Sequence, residues 1–170
     1  TLQALCEQLF AKSGRALLNL GGFTGQTLAG ALSTGTHATG LEHPPLPDMV
    51  VSVDIVLVAD DGSAAVHRFE PSDGITDPAK SPFPLVQDDD AFYAMVVHCG
   101  TIGVAYAYTI QLIEAYWVTE HIEPFVFEDD YGAALQRAQA GENLSFTLSA
   151  YPDEATGKHP GMLTRFERLT

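Results

Sequence analysis

Basic residues are scarce. Lys and Arg together number 8 against 22 Asp and Glu, a formal net charge of −14. So acidic a chain repels phosphate backbones and anionic headgroups, which argues against nucleic-acid and membrane partners. Cysteine is scarcer still. Cys6 and Cys99 are the only two, too few for a disulfide framework. They are expected to be buried free thiols, with a single bridge left open as an alternative. The compartment therefore stays open, a soluble cytoplasmic protein being the default expectation. No signal peptide stands at the start, and Thr1 opens directly on a helix approach, so the chain reads as a piece of a longer protein. No uninterrupted apolar run approaches the ~20 residues of a bilayer span. Ala91 to Ile113 comes nearest, and His98, Gly100 and Gly103 interrupt it. Two nucleotide-binding loops are missing as well: no G-x-G-x-x-G follows a strand and no G-x-x-x-x-G-K-S/T occurs. Nor does Ser33, in Gly30-Ala-Leu-Ser33-Thr-Gly35, match the G-x-S-x-G elbow of a nucleophilic serine.

What is present is ordinary globular material. The 170 residues are 46% hydrophobic and 18% charged, which excludes a disordered chain. That length suits one domain or two small ones and buries roughly 70% of the unfolded surface, so no metal or disulfide staple is needed. Leu2, Leu5, Cys6, Leu9 and Phe10 recur at helical spacing and Gly14 stops them. Ala16 to Gly22 is a short apolar run into a turn. Met49 to Val58 is β-branched, Asp60-Asp61-Gly62-Ser63 signals a turn, and Ala64 to Glu70 returns, which predicts a hairpin over 49–70. Residues 71–87, rich in Pro, Asp and Ser, read as a surface loop. Asp88-Asp89-Asp90 reads as an acidic cap on a helix over Ala91 to His98 rather than as a metal site. Tyr106 to Tyr116 alternates as a strand. Strands over Val118 to Phe127, Leu144 to Tyr151 and Met162 to Leu169, with a helix over Asp129 to Ala140, complete the chain. The class is α+β, an antiparallel sheet flanked by helices.

The stretch around which these elements are arranged is Gln26 to Gly40, QTLAGALSTGTHATG. It holds no Pro, Asp, Glu, Lys or Arg. Glycines at 25, 30, 35 and 40 permit positive φ and close approach to the backbone, while Thr27, Ser33, Thr34, Thr36 and Thr39 add hydroxyls. An uncharged loop of amides and hydroxyls suits a phosphate or pyrophosphate. A tight Gly-rich crossing in a core explains the same composition. His37, Glu42, His43 and Asp48 lie close in sequence, but their spacing makes no metal-ligand pattern and the prolines hold them apart, so no metal is expected. His98, at the end of an apolar helix, is expected to be packed. His67 falls on a strand, and His121 and His159 read as surface residues.

Thr27-Leu28-Ala29-Gly30-Ala31 followed by Ser33-Thr34-Gly35-Thr36-His37-Ala38-Thr39-Gly40 resembles a segment of the FAD-binding (PCMH-type) domain of vanillyl-alcohol-oxidase-type flavoproteins. The nearest look-alikes are the aldonolactone and alditol oxidases, whose segment usually reads S/A-T-G-T-H-G-S/T-G. Ala38 stands where that pattern prefers Gly, and positive φ there would strain it. Cys99 to Ala105, CGTIGVA, resembles the family's second cofactor element, G-A-L-G-V/I-V/I-T. The resemblance implies FAD as cofactor, with contacts at Thr27, Gly30, Ser33, Gly35, Thr36, His37, Thr39, Gly40, Gly103 and Val104, backbone ahead of side chains. His37 is either a loop imidazole satisfied by backbone carbonyls or a polar group beside the flavin. The resemblance also implies that 1–115 is the C-terminal part of an FAD-binding domain and 116–170 the start of an antiparallel cap domain. The implied activity is hydride transfer from a CH–OH group of a small alcohol, polyol or lactone-type substrate. The remaining segments of the same flavoprotein would complete the site, so no catalytic residue is assigned. The alternatives are a non-catalytic flavin- or nucleotide-binding subunit, or a fragment inactive without its missing parts.

Overall fold

The computed structural model describes residues 1–169. They form two compact units: residues 1–38 with 45–115, and residues 39–44 with the chain from Tyr116 onward.

In the first unit, α1 (Leu2–Ser13) starts at Thr1, whose hydroxyl accepts the Ala4 N–H, and ends at Gly14 with φ 64. Its Leu2, Leu5, Cys6 and Leu9 face the core, the i, i+3, i+4, i+7 stripe of an amphipathic helix. A two-residue strand β1 (Arg15–Ala16) pairs with β6 (Ile113–Glu114). Next come α2 (Leu28–Ser33) and a four-strand sheet in the order β4-β3-β2-β5. β2 (Val50–Val58) and β3 (Ala64–Glu70) form the expected hairpin. Asp61 closes its turn by accepting from the Ser63 N–H and hydroxyl. β5 (Val104–Ile110) pairs with the other edge of β2 and carries an irregularity between Ala105 and Ala107, so that Tyr106 is the extra, unpaired residue. Asp88 caps α3 (Asp89–Val96) by accepting from the Ala91 N–H at 2.8 Å.

One face of this sheet, with Val53, Ile55 and Phe69, packs against Leu2, Ala31, Leu32, Phe92 and Val96 from the helices. The alternate residues carry buried charge. Arg68 grips Asp54 with Nε–Oδ1 2.8 Å and Nη2–Oδ2 3.0 Å. Glu70, fully buried, accepts from the Thr76 N–H, the Thr76 hydroxyl and Gln87 Nε2.

Four expectations need correction here. Residues 71–87 are not all loop: β4 (Leu85–Gln87) adds to β3, and it does so in parallel, so the sheet is mixed rather than purely antiparallel. The strand expected over 106–116 breaks into β5 and β6. Cys99 is exposed and Cys6 half-buried, and both are free thiols. Ala38 is unstrained, because among the described residues the one non-glycine with positive φ is Cys99.

The second unit is a sheet in the order β7-β9-β8 with one helix. β7 (Trp117–Val126) and β9 (Pro160–Leu169) pair along their whole length, and β8 (Asn143–Leu148) lies on the other side of β9. α4 (Phe127–Gln139) has Glu128, Asp129 and Asp130 in its first turn, where the helix dipole favours acids. Phe125, Ala134 and Leu163 form a small core with Leu144 and Leu148, and Phe125 stacks on Phe146 with ring centroids 5.5 Å apart. No helix among the described residues is long and apolar enough to cross a membrane.

The Glu128 carboxylate takes two bonds from His159, 2.7 Å from ring Nδ1 and 2.9 Å from the backbone N–H. The ring bond chiefly, then the backbone bond, hold its pKa at about 2 instead of 4.5. A carboxyl depressed in the folded state adds stability above its unfolded pKa and loses it as pH falls through the folded value. The stability gap between the wild type and His159→Ala is therefore expected to shrink as pH drops from about 5 to about 2. Denaturation midpoints of the second unit taken across that window check this, and a gap that stays constant contradicts it.

Candidate functional site

The first half of the Gly-rich stretch is a short helix rather than the open loop its composition predicts. Thr27 is its N-cap, and the Thr27 hydroxyl accepts the Gly30 N–H at 3.1 Å. Leu28, Ala31 and Leu32 turn inward to the core. The Ser33 hydroxyl donates to the Ala29 carbonyl, and Thr34 Oγ1 donates to the Gly30 carbonyl at 2.8 Å. The helix stops at Gly35, φ 69. There the Gly35 N–H reaches the Leu32 carbonyl at 3.1 Å and the Thr36 N–H reaches the Ala31 carbonyl at 2.9 Å. These are the paired bonds of a Schellman C-cap, which calls for glycine in the left-handed region. Gly35 thus has a structural reason to be glycine. The hydroxyls of Thr27, Ser33 and Thr34 and the amides of Gly35 and Thr36 all serve the helix and its cap.

Gly21 is buried under this turn, where a Cβ would lie 2.8 Å from Thr36 Cγ2. His37 itself is exposed, with Nδ1 3.2 Å from the Ala38 carbonyl. That is the arrangement of an imidazole satisfied by backbone.

The second element meets the first through one bond. After α3 the chain turns sharply through Cys99, φ 51, and Gly100, φ 74, and the Cys99 N–H donates to the Ser33 carbonyl at 2.9 Å. The Thr101 N–H and hydroxyl both donate to the His98 carbonyl. His98 is buried as expected. Its Nδ1 accepts the Gly100 N–H at 3.0 Å, and its Nε2 has no partner among the described residues. With Nδ1 accepting, Nε2 carries the hydrogen, and a buried donor left unpaired is unusual enough to call for a partner. Burial pushes the Tyr108 phenol up, and Ser33 pulls it partly back.

Gly103 has a packing reason of its own, since a Cβ there would lie 2.5 Å from the Val56 carbonyl oxygen and 2.8 Å from Ile55 Cγ2. Val104 follows it on the edge strand β5, opposite Val56 and exposed. Of the ten residues named from sequence, Thr27, Gly30, Ser33, Gly35, Thr36, His37, Gly103 and Val104 lie in the first unit. Thr39 and Gly40 group with the second. Sequence reading missed the Cys99 amide, the unpaired His98 nitrogen and a side chain that holds Thr39, Asn143.

Over 156 residues the chain is 30% identical to L-gulonolactone oxidase of Mus musculus, a match covering 88% of this chain and 31% of that protein. It is 25% identical over 120 residues to D-arabinono-1,4-lactone oxidase of Yarrowia lipolytica, covering 69% of this chain and 19% of that one. The chain is a relative of the aldonolactone oxidases. It spans a third or less of the length of these two relatives. No family model matches this aldonolactone-oxidase relative. Its fold is similar to that of GilR, an oxidoreductase that catalyses the terminal step of gilvocarcin biosynthesis, solved in complex with pregilvocarcin. The TM-score is 0.61 at 14% identity, over 97% of this chain and 37% of that one.

Proposed function

We propose that this chain is part of an FAD-dependent oxidoreductase acting on the CH–OH group of a small alcohol, polyol or lactone-type substrate. The observation that carries this reading is the bond from the Cys99 N–H to the Ser33 carbonyl, 2.9 Å. It makes neighbours of the two elements, 27–37 and 99–104, whose sequences resemble a flavin cradle. Three further features fit the cofactor. The stretch 26–41 carries no Asp, Glu, Lys or Arg in a chain of net charge −14, so it spares a pyrophosphate the repulsion met elsewhere. The turn at Gly35 brings backbone rather than side chain to the surface. His98 offers a buried N–H without a partner among the described residues.

In this reading the first unit is the C-terminal part of a PCMH-type FAD-binding domain and the second opens the cap domain. The rest of the same flavoprotein supplies the other wall of the cradle and the catalytic groups. Thr27, Gly30, Ser33, Gly35, Thr36, His37, Thr39, Gly40, Gly103 and Val104 form this chain's share of the cofactor site. Thr27, Ser33 and Gly103 act by fixing the backbone, since their own groups are engaged in α2 and against β2. When bound, the flavin supplies the redox chemistry by accepting a hydride from the substrate carbon.

The test is the visible absorption spectrum of the longest natural form of the protein, before and after denaturation. Flavin bands are expected, and colour retained on the precipitated protein indicates a covalent link. A colourless protein that also fails to take up added FAD overturns the reading.

A further inference from the structure

We propose that Asn143 is a positioning residue, whose side chain latches the end of the Gly-rich stretch, Thr39-Gly40, to the sheet of the second unit. The proposal rests on the flavin reading for its consequence and on geometry for its existence.

Two contacts converge on the same carboxamide. The Thr39 hydroxyl donates to Asn143 Oδ1 at 2.7 Å, across 104 positions of sequence. Gly40, at φ 101, lies against it: a Cβ there would stand 3.2 Å from Asn143 Cγ and Oδ1 and 2.7 Å from His43 Cδ2. Gly40 is therefore glycine for two reasons, a left-handed backbone and the side chain seated over it.

Asn143 is itself held in place. It opens β8 opposite Phe166 of β9 and follows a tight turn in which Gly141 takes φ 95. In that turn the Gly141 N–H donates to the Ala138 carbonyl and the Glu142 N–H to the Arg137 carbonyl. The neighbouring Glu142 carboxylate accepts from Arg137 Nε at 3.2 and 3.3 Å and from Nη2 at 3.0 Å. Arg137 Nη1 donates to Glu123 of β7 at 2.6 Å. The guanidinium holds the Glu142 carboxyl below the usual carboxylate range. Arg137 on α4 thus ties the residue beside Asn143 to β7, and the carboxamide is presented from a braced corner rather than from a free loop.

Residues 39–44, by contrast, form neither helix nor strand, and within them the His43 N–H reaches the Gly40 carbonyl at a long 3.3 Å. A backbone cradle binds well only if its shape exists before the ligand arrives, because ordering a segment on binding subtracts from affinity. The Asn143 bond supplies that order at Thr39 and Gly40, residues in the cofactor site proposed above.

The experiment uses the full-length protein with its flavin removed and compares Asn143→Ala, Thr39→Val, the double variant and Thr39→Ser. Thr39→Val keeps the shape and deletes the donor; Thr39→Ser keeps the hydroxyl. Two quantities are read, the FAD dissociation constant and amide hydrogen exchange of residues 39–44 in the apoprotein. Each single deletion is expected to weaken FAD binding about three- to tenfold, the range of one net hydrogen bond. The double variant is expected to be no weaker than the worse single, because both delete one interaction. Exchange of 39–44 rises in all three, and Thr39→Ser stays close to wild type in both readouts. Unchanged exchange overturns the latch. Faster exchange with unchanged FAD affinity overturns the positioning role and leaves a purely structural contact. A wild-type protein that takes no FAD overturns the flavin reading and the positioning role with it, and the exchange data then still decide whether the latch exists.

Discussion

Arg68→Met is expected to destabilise the first unit by about 3–5 kcal/mol, the loss typical when one partner of a buried ion pair is removed. Asp54 is 5% exposed and its carboxylate is held at both oxygens by one guanidinium. Methionine fills the volume of the arginine stem but leaves that carboxylate charged, buried and unpaired. Glu70, on the same sheet face, suffers too. Burial works to raise its pKa, yet the bonds from Thr76 and Gln87 outweigh burial and keep it below the usual range. Arg68 is the positive charge near both acids, and both reinforce its own protonation, Asp54 the more strongly. The pair is not itself a large source of stability, since desolvation offsets most of the attraction. Asp54→Leu combined with Arg68→Met is therefore expected to recover most of the single-variant loss. Denaturant titration of the full-length protein, with amide exchange of β2 and β3 assigning the transition to the first unit, measures both. A single variant within about 1 kcal/mol of wild type would show that Asp54 finds water or another donor.

The elements readable in advance were those with a long enough period or a strong cap. β2 and β3 announced themselves by nine and seven β-branched or alternating residues around an Asp-Gly turn, and α3 by its run of aspartates. α4, β7, β8 and β9 lie within a few residues of expectation. The elements that escaped are short. β1 and β6 have two residues each and β4 three, less than one full alternation, and β4 is fixed by register with β3 rather than by its own pattern. α2, six residues long, is the instructive case. Thr27 before an apolar run and Gly35 just after it are an N-cap and a C′ glycine, the ordinary start and stop of a helix, yet the same Thr and Gly read equally well as phosphate-loop chemistry. The residue types of the proposed site could therefore be named from sequence, whereas the local geometry of the stretch could not. The Thr39–Asn143 bond was beyond reach altogether, because nothing in either residue's neighbourhood marks a partner 104 positions away.

Gly103 and Gly35 came from sequence with the same role, and paired substitutions are expected to separate them. Gly103→Ala should destabilise the first unit by about 3 kcal/mol, the upper part of the range for forced overpacking. The new Cβ would sit 2.5 Å from a backbone oxygen of β2, with Ile55 Cγ2 at 2.8 Å and Leu57 Cδ2 at 3.0 Å. A carbonyl within a paired strand cannot swing aside, so β5 must move away from β2. That shift breaks the register Val104↔Val56 and Ala105↔Ile55 and drags Ala105, Tyr108 and Ile110 off the core. At Gly35 the space is open, the nearest atom being Val97 Cγ1 at 3.7 Å. Alanine there pays only for the left-handed backbone, about 1–2 kcal/mol. Gly35→Val adds a branched side chain at the turn that the proposed cofactor approaches. The measurements are apoprotein stability and flavin-to-protein ratio for each variant. Gly103→Ala is expected to lower both, flavin following from the damaged sheet. Gly35→Val is expected to lower the flavin ratio with a smaller loss of stability. If Gly103→Ala instead keeps apoprotein stability and loses only flavin, Gly103 touches the cofactor and the added Cβ is accommodated without disturbing the pairing of β5 with β2.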